Sequence, residues 1–443
     1  MRDHSHHIEL SRQDAVDGVL AALPEAFACP RVEQVSLEAA VGRVLAEDVT
    51  VKSDIPNMLT CCMDSIALRW DDLAGLAEGE LPDTSGWVRG REWEFANTGV
   101  AMPEGFDTAV VIENAVVADD EQSMRLTSLP SEKFAGTRAA GSQWKRGDVA
   151  ARAGVVITPD VAAAIAGAGR GTALVRARPR VAFIPTGDEL VRPDVPFSPA
   201  APQRFAARGK VYESNSAVVR GKVEAWGGEF VPFDIVPDDR DAIRDAVARA
   251  VAVADIVVLN AGSSKGSDDW SVEVLEDMGQ IICHQTNHGP GHHSSYAVVD
   301  GVPVVGISGP SGGASFTLNF YLLPVMKRFL GLDPAPRRIP ARLAAAFPAG
   351  HHGKQSAAKA AAPRPGEQRP PEADKPGDVF FSIRFLTLEA SEDGTLTATP
   401  VSGHAGSPAT QHANAYYLMP SGPGAEPPVV GDVIWVELRE QRL

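Results

Sequence analysis

Apolar and polar positions follow two different periodic patterns in the second half of the chain. From Pro179 onward, short apolar runs such as ADIVVL alternate with longer stretches such as DDRDAIRDAVARAVAVA, in which apolar residues recur every three or four positions. The short runs predict buried strands and the longer stretches predict helices. Strands that alternate with helices of this length indicate βαβ units on a parallel sheet, which is a doubly wound α/β domain.

The first half of the chain has a less regular pattern. Residues 9–47 are predicted to be helical, since Ser36 and Glu38 stand at the start of a run with helical apolar spacing, SLEAAVGRVLAEDV. Pro56 ends any helix, and residues 57–142 contain turn residues between short β-like runs such as TAVVIENAVV. A short Ala-rich helix is predicted from Pro159, followed by a strand.

The C-terminal hundred or so residues contain two segments of different composition and apolar pattern. Residues 349–378 are rich in Ala, Pro, Lys and Glu and almost free of large apolar side chains, so they are predicted to be a disordered insertion. Residues 379–443 alternate in short β-like runs separated by turn residues, which predicts a small all-β domain.

Length and charge narrow the class of protein. A chain of 443 residues predicts two to four domains. The formal net charge of −16 argues against a nucleic-acid partner, whose binding surfaces are basic. No apolar run approaches the roughly 20 residues of a membrane helix, and the N-terminus lacks a secretory signal. The four cysteines have no CxxC spacing, so we expect reduced thiols in a cytoplasmic protein.

One loop carries the strongest candidate chemistry. The predicted strand ADIVVL runs into AGSSKGSDD, which supplies Gly262, Gly266, Lys265 and two adjacent acids, Asp268 and Asp269. Glycines let the backbone approach a ligand, and the following helix N-terminus favours negative charge, so the loop is a candidate oxyanion cradle. Capping of that helix is the alternative role for Asp268.

Two further loops at predicted strand ends are acidic. TGDEL contributes Gly187, Asp188 and Glu189, and VPDD contributes Asp238 and Asp239. Asp239 is a candidate helix N-cap, and TGDEL on its own is also typical of a solvated turn. Because the carboxyl ends of parallel strands meet at one edge of the sheet, the three acidic loops together predict a Mg²⁺ site beside a bound anion.

The histidine-rich segment HQTNHGPGHHSS is a weaker candidate. His284, His288 and His292 have the spacing of zinc ligands on a helix, but the Gly-Pro-Gly sequence breaks that helix. A histidine that donates a hydrogen bond to an anion is the favoured role.

These motifs, in their order along the chain, resemble one family: the molybdopterin molybdenumtransferases of the MoeA and gephyrin E-domain type. SLEAAVGRVLAEDV is similar to the family's N-terminal helix, and DIPNMLTCCMDSIAL to its D-x-P…M-D-G-Y-A segment. NTGVAMPEGFDTAVVIENA is similar to T-G-x-x-x-P-x-G-x-D-A-V-V-x-x-E, and RPRVAFIPTGDEL, VYESNS, DIVPDD and AGSSKGSDD follow at family spacing. The resemblance covers nearly the whole chain outside 349–378.

The resemblance implies a multidomain α/β protein and an elongated homodimer whose active site lies between subunits. A helical linker or dimerisation domain would comprise residues 8–54 and 143–178, and a β-rich domain residues 55–142. Residues 179–333 would form the doubly wound, molybdopterin-binding α/β domain. Residues 334–443 would form a C-terminal β-barrel that carries the insertion.

The implied activity is the insertion of molybdate into the dithiolene of adenylylated molybdopterin, with Mg²⁺-assisted release of AMP. By matching position, the catalytic residues would be Asp64, Thr98, Asp148, Glu189, Asp238 and Asp269, of which Glu189, Asp238 and Asp269 would hold the metal. The cofactor-binding residues would be Gly187, Asn215, Gly262, Ser263, Ser264, Lys265, Gly266, His292 and Gly309. Proteins of the molybdenum-cofactor pathway or a recipient enzyme would be partners.

The sequence departs from the family at several anion-binding positions. The two lysines around the family's P-G-K are Gly289 and His292, the Asn of P-G-N-P is Pro310, and a lysine is gained at Lys265. A serine of the last domain falls on His404. Two alternatives therefore stay open: a catalytically silent relative that binds pterin or a partner enzyme as a scaffold or carrier, and a tungstate-handling enzyme.

Overall fold

The computed structural model describes residues 9–28, 31–77, 79–193, 210–260, 270–348, 380–392, 394–403, 406–421 and 426–439. The chain divides into two compact units, which are described separately below. The first comprises residues 1–33 and 176–443, and the second residues 34–175. The predicted anion-binding loop 261–269 and the predicted disordered insertion 349–378 lie outside the described residues.

A six-stranded sheet forms the centre of the first unit. Its strands lie in the order Glu229–Pro232, Arg180–Ile184, Ile256–Asn260, Val302–Ile307, Ser295–Val299 and Gln280–Cys283. The first four are parallel and the last two are antiparallel additions. After strand 180–184, the next strand, 229–232, is added on one side of it, and strand 256–260 is added on the other side. This reversal creates a topological switch point between 180–184 and 256–260.

Helices flank this sheet where the sequence pattern predicts them. The alternation of strands and helices is confirmed, with helices at Asn215–Ala225, Arg240–Val253, Ser271–Met278, Ser311–Thr317 and Leu323–Phe329, the last two joined by a π-helical turn at Leu318–Leu322. Ile243, Ala246, Val247 and Ala250 place a fully buried stripe of helix 240–253 against the sheet. The predicted N-cap is confirmed, because the Asp239 carboxylate accepts a hydrogen bond from the Ala242 N–H at 2.9 Å.

The C-terminal strands close into a barrel. Phe380–Ala390 pairs with both Leu396–Val401 and Ala415–Ser421, and the ring continues through Val433–Leu438 and Arg338–Leu343 back to Leu396–Val401. Leu343, Leu386, Ala398, Ala415 and Val436 fill its interior. A two-residue strand, His288–Gly289, adds to the edge of Phe380–Ala390. Short elements complete the unit at Glu9–Leu10, Glu25–Ala28, Leu190–Val191, Val211–Tyr212, Gln285–Thr286 and Pro408–Thr410.

The second unit contains separate hydrophobic clusters. Strand Ser65–Leu68 pairs with Trp93–Ala96 and Thr108–Val111, and the sheet buries Trp93 completely. A different cluster surrounds helix Pro159–Gly167 and includes Leu45, Ile157 and Ile165. The other elements of the second unit are Leu37–Ala40, Val49–Thr50, Thr60–Cys61, Trp70–Leu73, Ile112–Asn114, Ala115–Val117, Met124–Leu126, Thr137–Arg138 and Val149–Ala151. Strands Val32–Ser36 and Thr172–Arg176 lie where the chain enters and leaves this unit. The predicted four-domain boundaries stay a prediction.

The prediction of helix throughout residues 9–47 is wrong. Only Arg12–Ala22 forms a regular helix, which ends just before Pro24, and Val32–Ser36 is a strand. Ser36 does cap a helix, but that helix spans only Leu37–Ala40, and Gly42 with a φ of +81° turns the chain away. The apolar residues Val44 and Leu45 instead pair with Val156 and Val175 as isolated β-bridges.

A buried ion cluster joins the N-terminal helix to the barrel. The Glu437 carboxylate, 7 % exposed, accepts hydrogen bonds from Arg12 at 2.8 Å and from Arg338 at 2.8 and 3.0 Å. The Arg12 guanidinium also stacks 4.2 Å from the centre of the Phe320 ring. Burial alone would raise the pKa of Glu437, but the two arginines outweigh it and hold that pKa below its ordinary value.

Replacing Glu437 tests the contribution of this cluster. We expect Glu437→Gln to lower the unfolding free energy by about 3–5 kcal/mol, because it removes the buried carboxylate shared by the buried Arg12 and the one-third exposed Arg338. Urea unfolding at neutral pH measures the loss. Because the pKa of Glu437 is lowered on folding, its contribution is present above the unfolded value near 4.5 and is lost as the pH falls through the folded value.

Glu229→Gln is the matched control. Glu229 is exposed and lies 3.8 Å from Arg180, so its loss is expected to cost less than about 1 kcal/mol. Equal destabilisation by the two substitutions would contradict a stabilising role for the buried cluster.

Candidate active site

Hydrogen bonds connect the carboxyl ends of the parallel strands at the switch point. Thr186 follows strand 180–184, and its hydroxyl donates to the carbonyl of Asn260 at the end of strand 256–260. The Asn260 amide returns a bond to the Thr186 carbonyl at 3.3 Å. Thr186 also bridges Val236, and the Gly187 N–H donates to the Val236 carbonyl at 3.1 Å. Three strand ends are therefore held at one edge.

Asn215 extends this connection to a fourth loop. Its Nδ2 donates to Asn260 Oδ1 at 2.8 Å and to the Gly309 carbonyl at 2.9 Å. Asn215 is 4 % exposed, and its Oδ1 is buried with no hydrogen-bond donor among the described residues. Since a buried carbonyl oxygen without a donor is costly, Asn215 Oδ1 is available to accept an N–H from a ligand at this edge.

Two acids face each other across the first two strand ends. The Asp188 N–H donates to Asp238 Oδ2 at 3.2 Å, and the Asp238 N–H donates to Asp188 Oδ1 at 3.3 Å. Each carboxylate thus lies beside the backbone of the other acid. Lys210 donates to the Asp188 carbonyl and fixes the same turn from the outside. The structure therefore pairs Asp238 with Asp188, an acid that the resemblance did not select.

Glu189 points in a different direction from Asp188. Its carboxylate folds back over Gly187, so that a Cβ at position 187 would lie 2.6 Å from Glu189 Oε2. Gly187 has a φ of +145°, a backbone conformation that strains other residues. Gly187 thus lets the turn form and leaves room for the Glu189 side chain.

The pair Asp188 and Asp238 fits the chemistry of Mg²⁺. Mg²⁺ is commonly held by one or two carboxylates together with waters and substrate phosphates, and these two acids supply that donor type at the ligand-binding edge. Within the described ranges, no three acidic, histidine or cysteine side chains converge as a complete metal site. Asp269, the third acid of the predicted set, lies outside those ranges.

The predicted loop residues cannot be placed relative to this edge. Gly262, Ser263, Ser264, Lys265, Gly266 and Asp269 all lie outside the described residues, as does His404.

The histidine-rich segment lies where the α/β domain joins the barrel. His288 is fully buried, and its Nε2 lies 2.7 Å from the Tyr321 hydroxyl. Burial, followed by the nearby charge of Arg12, lowers the pKa of His288 to about 3, so it is neutral at physiological pH. The half-buried His292 ring lies 3.7 Å from that of His293, and the two ring planes are tilted by 44°.

Asp64 and Thr98 lie together in the second unit. Asp64 Oδ1 accepts from the Thr98 N–H at 2.9 Å and from the Thr98 hydroxyl at 3.0 Å. The backbone bond and then the hydroxyl bond lower the pKa of Asp64. Both residues are exposed, so the ionised carboxylate is held in one orientation while one of its oxygens remains accessible.

Asp148 has a different local role. Its Oδ2 accepts from the Lys145 N–H at 2.8 Å, and its carbonyl accepts from the Val51 N–H at 2.9 Å. The carboxylate therefore closes a turn, and it shares no hydrogen-bond partner with Asp64 in the described part of the second unit.

A large cavity opens beside Gly309 in the first unit. Its volume is about 1210 Å³, and it lies between the start of helix 311–317 and the barrel. Pro310, Gly312 and Gly313 form one wall, and Ile383, Arg384 and Phe385 form the other. Arg384 Nε is buried without an acceptor among the described residues, so this wall presents a cation to the cavity.

Comparison with known proteins identifies the family. Residues 10–169 match the MoeA N-terminal region (domain I and II), and residues 182–328 match the probable molybdopterin binding domain. The two matches follow in order and together cover more than half of the chain. The chain belongs to the molybdopterin molybdenumtransferase family.

Individual relatives are distant within this family. The molybdopterin molybdenumtransferase of Staphylococcus aureus (strain COL) is 28 % identical over 325 residues, which is 70 % of this chain and 74 % of the relative. The molybdopterin molybdenumtransferase of Haemophilus influenzae is 25 % identical over 309 residues, which is 68 % of this chain and 74 % of the relative. The molybdopterin biosynthesis MoeA protein of Pyrococcus horikoshii OT3 has the same fold, with a TM-score of 0.69 at 20 % identity over 97 % of this chain and 100 % of that one.

Sequence reasoning missed several residues at this edge. Asp188 stands in the quoted TGDEL motif, but the motif alone does not show which of its two acids turns toward Asp238. Asn260 is the last residue of an apolar strand, and Arg384 alternates with apolar residues in a barrel strand. Their spacing carries no signal, because hydrogen-bond partners such as Thr186 and Asn260 are brought together only by strand pairing.

The Asp64–Thr98 contact gives a testable pKa. We expect Thr98→Val to raise the pKa of Asp64 toward its ordinary value, because the hydroxyl bond to the ionised carboxylate is lost while the backbone bond remains. NMR titration of the full chain with labelled aspartate carboxyl carbons measures the change. Thr98→Ser keeps a hydroxyl and should titrate like the unaltered protein. An Asp64 pKa that is unaffected by Thr98→Val would show that the hydroxyl does not stabilise the carboxylate.

Proposed function

We propose that this protein inserts molybdate into the dithiolene of adenylylated molybdopterin and releases AMP with the help of Mg²⁺. A role in molybdenum cofactor biosynthesis and a transferase activity follow from the family. The observation that supports the finer proposal is the acid pair Asp188 and Asp238, held at the switch-point edge beside Asn215.

The reaction requires the cleavage of a phosphoanhydride bond. A water oxygen bonds to the adenylyl phosphorus, the bridging phosphorus–oxygen bond breaks, and its electron pair stays on the molybdopterin phosphate. Such a step depends on positioning and on charge neutralisation rather than on a covalent enzyme intermediate. Mg²⁺ bound by Asp188 and Asp238 would neutralise charge on the phosphate oxygens.

The described side chains supply the rest of the site. Thr186 and Asn260 hold the strand ends in register. The Asn215 Oδ1, which accepts no hydrogen bond from a described residue, would accept one from an N–H of the pterin. Arg384 offers a cation to phosphate or molybdate oxygens from the barrel wall. In the second unit, Asp64, held by Thr98, stays a predicted catalytic acid, as the resemblance implies.

The assembly and the location belong to the same proposal. The family resemblance supports a homodimer whose active site lies between subunits, and Cys61 and Cys62 are free thiols, as expected in a reducing cytoplasm. No helix in the described parts of the chain is long and apolar enough to cross a membrane.

Loss of AMP release from acid variants tests the function. With adenylylated molybdopterin, molybdate and Mg²⁺ present, we expect Asp188→Asn and Asp238→Asn each to slow AMP release by roughly a hundred- to a thousandfold. A chelator should abolish release, and added Mg²⁺ should restore it. Chromatographic quantification of AMP measures the rate.

Asp241→Asn is the matched control, since this exposed acid lies in the first turn of helix 240–253 and takes no part in the pair. Absence of AMP release from the unaltered protein, with calorimetric binding of the nucleotide retained, would reject catalysis and favour the carrier alternative. Tungstate in place of molybdate separates the two metal oxyanions by the rate at which each is incorporated.

A further inference from the structure

A second, smaller cavity lies beside the candidate active site. It has a volume of about 410 Å³ and is walled by helix 215–225, by helix 311–317 and by Arg439, which follows the last barrel strand. Ser311 and Gly406 line both this cavity and the larger one that contains Arg384. An occupant here would therefore lie next to the proposed substrate pocket.

Among the described residues, two cations and no carboxylate line this cavity. Lys222 Nζ donates to the Asn319 side-chain carbonyl at 2.5 Å, and Arg439 donates to the carbonyls of Thr410 and Ala413 at 3.3 and 3.2 Å. All these acceptors are neutral. No acidic side chain in the described part of the chain forms an ion pair with either Lys222 or Arg439.

The pKa of Lys222 reflects its burial next to a second cation. Burial, followed by the positive charge of Arg439, lowers the pKa of Lys222 to about 7. A buried ammonium beside a guanidinium is unfavourable unless an anion accompanies them. The cavity also presents the hydroxyls of Ser311 and Ser315, one helical turn apart, as neutral donors.

We propose that this cavity binds a tetrahedral oxyanion through Lys222, Arg439, Ser311 and Ser315, and that molybdate is its occupant. The choice of molybdate rests on the proposed function, whereas the anion site itself does not. An ammonium, a guanidinium and two hydroxyls together offer the donors that a compact dianion requires, since each of its oxygens accepts hydrogen bonds. A phosphate group of the pterin nucleotide has the same chemistry, so the experiment separates the two.

Anion binding at this site should be linked to proton uptake. Near pH 7 about half of the Lys222 side chains are neutral in the free protein, and a bound dianion favours the ammonium form. Affinity should therefore fall as the pH rises, by up to about tenfold per unit above pH 7, until Lys222 also deprotonates in the complex.

The described charged and titratable groups around Lys222 are Arg439, Tyr416, Glu437, Arg220 and Glu224. Burial raises the pKa of Tyr416 to about 12, so this phenol is neutral near pH 7. Tyr416 accepts a hydrogen bond from the Asn319 amide, whose carbonyl accepts one from Lys222, and it also interacts with Arg439 and Glu437. On the same helix Arg220 and Glu224 are exposed.

Calorimetric titration of the full chain tests the proposal. Sulfate, molybdate, phosphate and AMP are each titrated at pH 6, 7, 8 and 9, and pH 7 is repeated in two buffers of different ionisation enthalpy to count protons. We expect molybdate and sulfate to bind with the uptake of about half a proton at pH 7. Lys222→Met and Arg439→Gln should each weaken binding at least tenfold, and Lys222→Met should abolish the proton uptake.

Two further variants serve as controls. Lys222→Arg should bind sulfate and molybdate with no pH dependence, because the guanidinium and these two dianions keep their charge. Arg220→Met removes a charge from the exposed face of the same helix and should bind as the unaltered protein does. Thermal unfolding confirms that each variant is folded.

Three outcomes would overturn the proposal. They are absence of oxyanion binding by the unaltered protein, equal binding by Lys222→Met and Arg220→Met, and binding of AMP while free molybdate and sulfate do not bind. The last would assign the cavity to a nucleotide phosphate. None of these measurements depends on AMP release, so failure of this site and failure of the proposed reaction are distinguishable.

Discussion

The hydrogen bonds between Thr186, Asn260, Asn215 and Gly309 are the constraint on which the candidate site depends. They join loops that follow three different strands to the start of helix 215–225. The ladder hydrogen bonds of a parallel sheet stop at the strand ends, so the loops beyond them need other bonds to hold their positions. Here buried side-chain amides and a hydroxyl do so, and because these bonds are shielded from water, the loss of one partner leaves another unsatisfied. The acids Asp188 and Asp238 are presented from a rigid edge for this reason.

The balance of charge around this edge explains how a divergent site can hold an anion. The family's two lysines are Gly289 and His292 in this chain, and His288 nearby is neutral because it is buried. Positive charge is supplied by other elements instead: Arg384 in a barrel strand, Lys222 on the helix that begins at Asn215, and Arg439 after the last strand. The overall charge of −16 makes such local cations more significant, since they must attract an anion to an acidic protein.

The sequence predicts the architecture better than it predicts the site. Strand and helix alternation after Pro179 is predictable from the sequence because a helix such as 240–253 carries a complete apolar stripe and begins with an N-cap at Asp239. The segment 9–47 was predicted wrongly because its apolar spacing fits both a helix and isolated β-bridges, and Gly42 decides between them only through its positive φ. Ordered motifs identified the family, but the resemblance assigns roles by position. It therefore selected Glu189 and could not show that Asp188 is the acid that faces Asp238.

Lys222 illustrates why the sequence alone does not predict a cation that lines a cavity. In the pattern of helix 215–225 a lysine is typical of a solvent-facing position, and Arg439 lies more than two hundred residues away near the end of the chain. Only the packing of the barrel against the α/β domain brings them to one cavity and removes the water that would otherwise solvate the ammonium. The same burial that makes the lysine costly in the free protein makes it responsive to an anion, because a dianion restores the charge balance that the fold leaves incomplete. A site formed in this way can lose the family's lysines and still favour an oxyanion.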